Sequence, residues 1–541
     1  MVAAEGKPLT MLTILTRRFG LAAALLALAL FAGCSSLPKD VERKPSQAIP
    51  ASPQTTLGKI ARVSQPSPEL TGFRLMPIGS FALNARIALA QRVQASLDVQ
   101  YYLVQDDETG RYLLRALRDA AMRGVRVRLL MDDLYTTGED PLLLALAAHP
   151  NVEIRLFNPF PVARAGGIPL RYLASLNEFG RLNHRMHNKL FIADGAMAVA
   201  GGRNIANEYF MRHAQENFVD LDTFITGALV PQLQTLFDQY WNSPFVYPLY
   251  AITRSAAPRE ELQQQFEAMT GPESTPEPQA PPANDVLGYG PIAEDLDAGQ
   301  LGLIWGTAIA YADPPDRVTG MSKSYGLVPL EDVDSVRYNV LEQMRSAKSE
   351  VVMTTPYLIP GEKGLLVMQV ATLRGVKFKV LTNSLAATDE PLVHIGYTRD
   401  RIEMLKLGVE VYELSPTRVT RNWKLGMFGT SHGRLHAKTA VIDRKTIFIG
   451  SMNFDPRSEK HNTEMGIIIQ SPQLAKEVLR LMDLDKLQAS YRVLLAEGGQ
   501  TLNWLTFDED GETILDKEPD VGFWKKFWLK IFAPLAPVEL L

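Results

Sequence analysis

One stretch of the sequence that decides the fold occurs twice. Residues 187–204 read HNKLFIADGAMAVAGGRN, and residues 436–453 read HAKTAVIDRKTIFIGSMN. In both copies a lysine follows the histidine by two residues, an aspartate follows the lysine by five, and an asparagine ends the pattern. The copies lie 249 positions apart (436 minus 187). A pattern that keeps every gap indicates an internal duplication.

Other landmarks repeat at nearly the same distance. Segment 122–133, MRGVRVRLLMDD, corresponds to 373–384, LRGVKFKVLTNS, and VEIRLF (152–157) corresponds to VEVYEL (409–414). Strand-like and helix-like segments alternate in both halves, which predicts parallel strands with helices on the faces of the sheet. We therefore predict an α/β fold of two duplicated α/β sandwich domains, related by a pseudo-two-fold axis and sharing one active site.

The repeated pattern predicts a phosphate site. Residues two apart on a strand point to the same side, so His187 shares a face with Lys189, as His436 does with Lys438. Lysine supplies positive charge, asparagine supplies hydrogen-bond donors, and histidine supplies a nucleophile or a proton. Across one phosphodiester, one histidine would attack phosphorus and become phosphohistidine. The other would protonate the departing alcohol and then deprotonate the incoming one.

The pattern HxKx4Dx6GGxN resembles the motif of the phospholipase D superfamily, with Ser451 in place of the second glycine in the second copy. RLNHRMHNK (181–189), GSMNFDPRS (450–458) and NTEMG (462–466) resemble bacterial cardiolipin synthases of the C type. The resemblance runs from about residue 70 to the C-terminus. It implies two phospholipase D-like domains and phosphatidyl transfer through phosphohistidine, without a metal or another cofactor.

The resemblance also implies residue roles. His187 matches the nucleophile and His436 the general acid and base, although the symmetric motif leaves the opposite assignment open. Asp194 and Asp443 match structural members of the motif. Residues expected to hold the substrate phosphate are Lys189, Lys438, Asn204, Asn453 and Ser451.

Family members also carry an acid downstream of each motif that orients the catalytic histidine. Asp220 and Glu464 stand in that place, with Asp222 as the competing choice in the first half. A carboxylate on the far ring nitrogen fixes the tautomer of a histidine. His184 lacks a cluster of further ligands in the sequence, so we do not assign it to a metal.

The N-terminal residues predict export and lipid attachment. Arg17 and Arg18 precede an apolar run, 19–33, which is shorter than the ~20 residues of a bilayer-spanning helix and ends before Cys34, the only cysteine. This resembles a bacterial lipoprotein signal, in which Cys34 becomes the lipidated first residue. An uncleaved signal anchor is the alternative, and Met11 is an alternative start. We expect a membrane-tethered protein of the bacterial cell envelope that faces the periplasm; inner or outer membrane is left open.

The C-terminal tail predicts a second membrane contact. Aromatic and apolar residues at helical spacing alternate with lysines over 523–532, which is typical of an interfacial amphipathic helix. Packing of this helix against the catalytic domains is the alternative. Composition then sets the domain boundaries: signal peptide 1–34, tether 35–70, first domain 71–250, Pro-rich linker 251–300, second domain 301–510 and tail 511–541.

The composition and net charge of the chain limit the classes of function that we consider. The chain is 46% hydrophobic and 21% charged, with a net charge of −4, so it lacks the basic character of a nucleic-acid binder. We expect phospholipid substrates and a membrane surface as partners. The leading hypothesis is a phosphatidyltransferase that makes cardiolipin from phosphatidylglycerol and a second phospholipid. A phospholipase D that releases phosphatidic acid and a non-catalytic lipid-binding scaffold are the alternatives. The phosphatidyl donor and the oligomeric state are left open.

Overall fold

The two halves of the chain repeat one topology. The computed structural model describes residues 36–319, 335–421, 430–484, 487–508 and 511–522, together with residues 524 and 529. The predicted signal peptide with Cys34, and nearly all of the predicted amphipathic segment 523–532, lie outside the described residues. No helix in the described ranges is long and apolar enough to cross a bilayer.

The first half builds a mixed sheet in the order β1-β8-β6-β5-β2-β3-β4-β9. Its central strands β2, β3 and β4 run parallel, and the other neighbours are antiparallel. The strands are buried along nearly their whole length, as expected for a sheet that helices cover on both faces. Their bounds are β1 (Thr71–Met76), β2 (Ser96–Tyr101), β3 (Arg126–Asp132), β4 (Val152–Phe157), β5 (Leu190–Ala193), β6 (Met197–Gly201), β7 (Glu216–Val219), β8 (Asp222–Gly227) and β9 (Val246–Pro248).

The second half repeats this order as β10-β17-β16-β15-β11-β12-β13-β18 and adds β19 and β20 at the edge. The α/β class and the duplication predicted from the sequence are therefore confirmed. The bounds are β10 (Ile304–Ala312), β11 (Glu350–Thr354), β12 (Lys377–Asn383), β13 (Glu410–Leu414), β14 (His432–Leu435), β15 (Thr439–Ile442), β16 (Thr446–Gly450), β17 (Met465–Gln470), β18 (Ser490–Leu495), β19 (Leu502–Asp508) and β20 (Gly511–Leu515).

Helices flank both sheets, and side-chain caps fix several of their starts. Asp107, for example, accepts a hydrogen bond from the N–H of Gly110 and so caps α3. The helices are α1 (Thr56–Ser64), α2 (Gly79–Arg92), α3 (Glu108–Met122), α4 (Asp140–Ala147), α5 (Ile168–Ala174), α6 (Phe179–Leu182), α7 (Val230–Trp241), α8 (Leu249–Ile252), α9 (Arg259–Thr270), α10 (Ile292–Ala298), α11 (Val336–Arg345), α12 (Gly361–Leu373), α13 (Pro391–Lys406), α14 (Pro456–Lys460) and α15 (Pro472–Met482). Short 3₁₀ turns cover Leu176–Glu178, Asn207–Phe210, Pro315–Thr319 and Arg418–Arg421.

The halves are joined at three levels. Strand β1 pairs antiparallel with β10, so the two sheets are continuous at this edge. Strand β7 of the first half pairs in parallel with β14 of the second. One apolar cluster draws on both halves and includes Phe73 and Phe237 together with Ile449 and Ile467. Because the halves share a core, residues from both are held at fixed positions relative to one another.

The stretches expected as tether and linker are more ordered than their composition predicts. Within 35–70, the carbonyls of Lys44 and Ser46 accept from the buried arginines Arg155 and Arg128, and α1 buries Leu57. Within 251–300, α9 and α10 pack on the first half, and Phe266 of α9 is fully buried. Proline and polar residues break strands and long helices there, but short helices still cover apolar surface of the domain.

Candidate active site

The two copies of the motif meet in one cavity of about 730 Å³, which His187 and His436 both line. Both terminal asparagines, Asn204 and Asn453, line the same cavity. His187 lies three residues before the β5–β6 hairpin, and His436 lies three residues before the β15–β16 hairpin. The duplication therefore supplies one site from two halves.

Backbone pairing between the halves fixes both histidines. The N–H of His187 donates to the carbonyl of Thr463, and the N–H of His436 donates to the carbonyl of Val219, each at 2.8 Å. Thr463 and Val219 are each followed directly by a carboxylate residue. Each histidine is thus brought beside a carboxylate of the opposite half.

The carboxylates are exchanged between the halves. Nδ1 of His187 lies 2.9 Å from Oε2 of Glu464, and Nδ1 of His436 lies 2.6 Å from Oδ2 of Asp220. The competing choice, Asp222, instead forms a buried ion pair with Arg86 at 2.8 Å. The structure therefore places Asp220, and not Asp222, against an imidazole.

Burial decides the protonation of these pairs. It lowers the pKa of His187 to about 4 and that of His436 to about 3. Burial alone would raise the pKa of Asp220, but His436, Lys438 and nearby cations overcome it and bring that pKa to about 2. At neutral pH each neutral imidazole therefore donates Nδ1–H to its carboxylate. This tautomer leaves Nε2 unprotonated and available as a nucleophile or base.

The two lysines are buried beside the histidines. Nζ of Lys189 donates to the carbonyl of His187 at 2.7 Å, and Lys438 makes the matching bond to His436 at 2.5 Å. Burial lowers the pKa of Lys438 to about 8 and holds that of Lys189 well below its usual range. Neither lysine is among the residues that line the cavity, so their expected role as ligands of the phosphate stays a prediction.

The asparagines present unpaired amide atoms. Nδ2 of Asn204 donates to the hydroxyl of Tyr209 at 3.0 Å. Within the described residues, Oδ1 of Asn204 and Oδ1 of Asn453 are buried without a hydrogen-bond partner. Buried polar atoms normally have partners, so these oxygens, which accept hydrogen bonds, are suited to a donor such as a hydroxyl group of a ligand in the cavity. The expected role of both asparagines as donors to a phosphate stays a prediction.

Ser451 does not face the cavity as a phosphate ligand, contrary to the expectation. Its hydroxyl donates to the carboxylate of Glu464 and accepts from the N–H of Met465 at 3.0 Å. It is fully buried because the side chain points toward β17. Its counterpart in the first half is Gly202, where a Cβ would lie 2.1 Å from the Asp220 carboxylate. Each half therefore matches a small residue to its own carboxylate.

The motif aspartates lie away from the cavity lining. Asp194 accepts from the backbone N–H groups of Gln94, Ala95 and Ser96. Asp443 accepts in the same way from residues 348–350, at the start of β11. Both residues have a positive φ, 52° and 51°. They hold the chain at the entry to a central strand, in keeping with the structural role that the resemblance implies.

Comparison with known proteins identifies the family of this chain. The family model for "Cardiolipin synthase, PLD-like domain" matches residues 84–241 and 340–485, which is more than half of the chain. The chain belongs to this family. Membership in the PLD-like cardiolipin synthases makes it an enzyme of the phosphatidyltransferase or phospholipase D type.

Relatives of this PLD-like cardiolipin synthase family cover nearly the whole chain. Cardiolipin synthase C of Escherichia coli K12 is 38% identical over 473 residues, which are 85% of this chain and 94% of the relative. An uncharacterised protein of Helicobacter pylori is 30% identical, over 94% of this chain and 97% of the relative. The crystal structure of phosphatidylserine synthase from Haemophilus influenzae Rd KW20 is similar in fold alone. It has a TM-score of 0.55 at 13% identity and covers 90% of this chain and 100% of that one.

The site of this family member includes aromatic residues that the sequence reasoning missed. The ring of Tyr102 meets His187 edge-on, with centroids 5.0 Å apart, and Tyr209 meets His436 in the same way at 5.0 Å. Tyr357 also lines the cavity. Tyr-Leu follows the first central strand in both halves, at 102–103 and 357–358, and this repeat was a signal that could have found two of them.

Proposed function

We propose that the chain transfers a phosphatidyl group through phosphohistidine to the glycerol hydroxyl of phosphatidylglycerol, which yields cardiolipin. The observation that carries this proposal is the pair of imidazoles in one cavity, each held through Nδ1 by the carboxylate of the opposite half. The name of the E. coli relative, cardiolipin synthase C, supports cardiolipin as the product.

In the first step, Nε2 of His187 attacks phosphorus, and the bond from phosphorus to the departing alcohol breaks. A protonated His436 gives its proton to that alcohol oxygen. In the second step, neutral His436 takes the proton of the acceptor hydroxyl, whose oxygen attacks phosphorus. The bond from phosphorus to His187 breaks, and both histidines return to their starting states. The symmetry of the pairs makes the opposite assignment chemically equivalent.

Substrate binding promotes uptake from solvent of the proton that the first step needs. Both histidines have a low pKa because they are buried. An anionic phosphodiester between the rings favours a charged imidazolium and raises the pKa of one histidine. Proton uptake is therefore coupled to substrate binding, and the protonated histidine forms beside the oxygen of the departing alcohol.

Membrane attachment is the second part of the proposal. A lipid on Cys34 and an amphipathic helix over 523–532 would hold the enzyme at the periplasmic side of a membrane. The basic, apolar and small residues before Cys34 support the first contact, and the aromatic residues and lysines of 523–532 support the second. Mass spectrometry of the mature N-terminal peptide tests the first: a diacylglyceryl mass on Cys34 supports it, and an unmodified thiol contradicts it.

The decisive experiment is lipid mass spectrometry on purified protein, wild type beside His187→Ala. Each protein is given phosphatidylglycerol vesicles with and without phosphatidylethanolamine. We expect cardiolipin from the wild type alone, and its dependence on the second lipid identifies the donor. Phosphatidic acid without cardiolipin would make the chain a phospholipase D. No product from any mixture would favour a lipid-binding scaffold.

A further inference from the structure

A run of exposed apolar side chains lies beside the active-site cavity. Leu170, Leu173, Leu176 and Phe179 recur at every third residue and are between 41% and 58% exposed. They lie on α5, the 3₁₀ turn after it and the first residue of α6. We call residues 168–179 the leucine segment. Among its exposed positions none carries a charge, since Arg171 is buried and Glu178 is partly buried.

The exposure of these leucines is not the result of a missing local core. Beneath the segment, Leu134, Phe160 and Leu182 form a small buried cluster, against which Tyr102 and Ile168 pack. The leucine segment therefore has apolar contacts on its inner side already. Its outer leucines are additional apolar surface, and a contiguous patch of this kind marks an interaction site.

A buried charge holds the segment in this orientation. Arg171 is fully buried, and its guanidinium pairs with Asp133 at 2.5 Å and donates to the carbonyl of Leu134 at 3.0 Å. Because breaking such a buried pair is costly, the helix α5 cannot roll its leucines inward without losing these contacts. The apolar face is fixed toward the outside.

The patch is continuous with the cavity that holds both histidines. Ile168 and Tyr135 line the cavity from the first half, and Leu392 of α13 lines it from the second. Tyr135 and Leu392 are themselves 38% and 41% exposed. Apolar side chains thus border the entrance on two sides, while the catalytic groups lie inside.

We propose that the leucine segment inserts into the surface of a phospholipid bilayer and seats the cavity mouth against it. This proposal rests on the proposed function, because only a lipid substrate needs an apolar path from the bilayer to a polar site. The headgroup of a phospholipid then reaches the histidines. The acyl chains of the same lipid stay against Ile168, Tyr135, Leu392 and the outer leucines. The contact is separate from the predicted lipid on Cys34 and from the predicted helix over 523–532.

Insertion is tested with an environment-sensitive nitrobenzoxadiazole label on Leu173→Cys in the full chain. The control is Met122→Cys, which is 59% exposed. Met122 is the last residue of α3 and precedes the N-terminal end of β3, whereas the C-terminal end of β3 leads to the cavity residues Leu134 and Tyr135. Wild type treated identically reports any label on Cys34. We expect phosphatidylglycerol–phosphatidylethanolamine vesicles to raise and blue-shift the emission at position 173 and to leave position 122 unchanged. An equal response at both positions, or none at 173, would overturn the proposal.

Activity supplies the second test. We compare vesicles with monomeric dihexanoyl phosphatidylglycerol for a variant with Leu170, Leu173, Leu176 and Phe179 changed to Gln. The matched control changes Val63 and Met122 to Gln. We expect kcat/KM of the fourfold variant to fall about tenfold or more on vesicles and about twofold or less on the monomeric lipid. Only the reaction on vesicles requires the enzyme to dock on a bilayer.

Three results would contradict the proposal. The first is an equal loss of kcat/KM on both substrates, and the second is no loss on either. The third is a wild-type dimer in sedimentation that is absent in the fourfold variant, while vesicles cause no change in the emission of the label at position 173. Failure of the proposed function gives a different pattern, in which the wild type forms no cardiolipin from either lipid. The label at position 173 still reports insertion in that case.

Discussion

Nδ1 of His436 lies 2.6 Å from the carboxylate of Asp220, although the two residues belong to opposite halves of the chain. His187 and Glu464 form the reciprocal pair at 2.9 Å. The acid that fixes each imidazole is therefore supplied by the other copy of the duplicated fold.

Asp220→Asn is expected to lower kcat by about a hundredfold or more, because an amide no longer stabilises the imidazolium or fixes the tautomer of His436. The fold should persist, since the amide still occupies the same space beside the ring. Cardiolipin formation and circular dichroism are measured together. An active Asp220→Asn enzyme would exclude this carboxylate from the mechanism.

Asp222→Asn is expected to act on stability instead. The carboxylate is fully buried and pairs with Arg86 at 2.8 Å, and removal of one partner leaves the other charge uncompensated. The loss is about 3 kcal/mol of unfolding free energy, measured by urea denaturation. If residual activity per folded molecule falls as far as in Asp220→Asn, the distinction between the two aspartates is wrong.

Detection of the covalent intermediate would show which histidine is the nucleophile. Short-chain phosphatidylglycerol labelled with ³²P is mixed with enzyme and quenched in alkali, in which phosphohistidine is stable. We expect label on the peptide that contains His187 in the wild type and none in His187→Ala. Label on His436 instead would exchange the roles of nucleophile and acid.

Acid is expected to destabilise the folded chain through these histidines. Their pKa values in the fold are about 4 and about 3, both below the value of 6.5 in the unfolded state. The unfolded chain therefore binds more protons as the pH falls, and stability decreases from pH 7 toward pH 5. The decrease is about 2 kcal/mol for each histidine. Urea denaturation at both pH values should show a smaller decrease for His187→Gln and His436→Gln, and an unchanged decrease would refute the assignment.

Equivalent small residues should respond differently to substitution. Gly202→Ala places a methyl group against the Asp220 carboxylate, where a Cβ would lie 2.1 Å from Oδ1, so we expect about a hundredfold loss of kcat from displacement of the acid. Ser451→Ala removes one hydroxyl contact with Glu464 and is expected to cost about tenfold or less. The same cardiolipin assay measures both, and the reverse order of effects would contradict the pairing.

The sequence predicted the duplication because the motif preserves every gap, and the two histidines of the motif line one cavity. The phosphate-holding role of the two lysines stays a prediction. It could not predict the exchange of carboxylates, since this depends on how β7 and β14 pair between the halves. Asp220 and Asp222 both remained possible because they are two residues apart, and only the break between β7 and β8 separates their directions. The role of Ser451 was mistaken because a motif position does not reveal which way its side chain points. Composition also concealed α1, whose few apolar residues lie in a stretch rich in proline and serine.

The exchanged carboxylates make each repeat an incomplete enzyme. A chain cut in the linker between the halves would yield two fragments, each with a histidine from one catalytic pair and an acid from the other. Neither fragment can compensate for the loss of a catalytic residue in the other. The duplicated copies are therefore not redundant. Activity from separately produced fragments would have to appear only on mixing, as complementation between two parts that are each inactive alone.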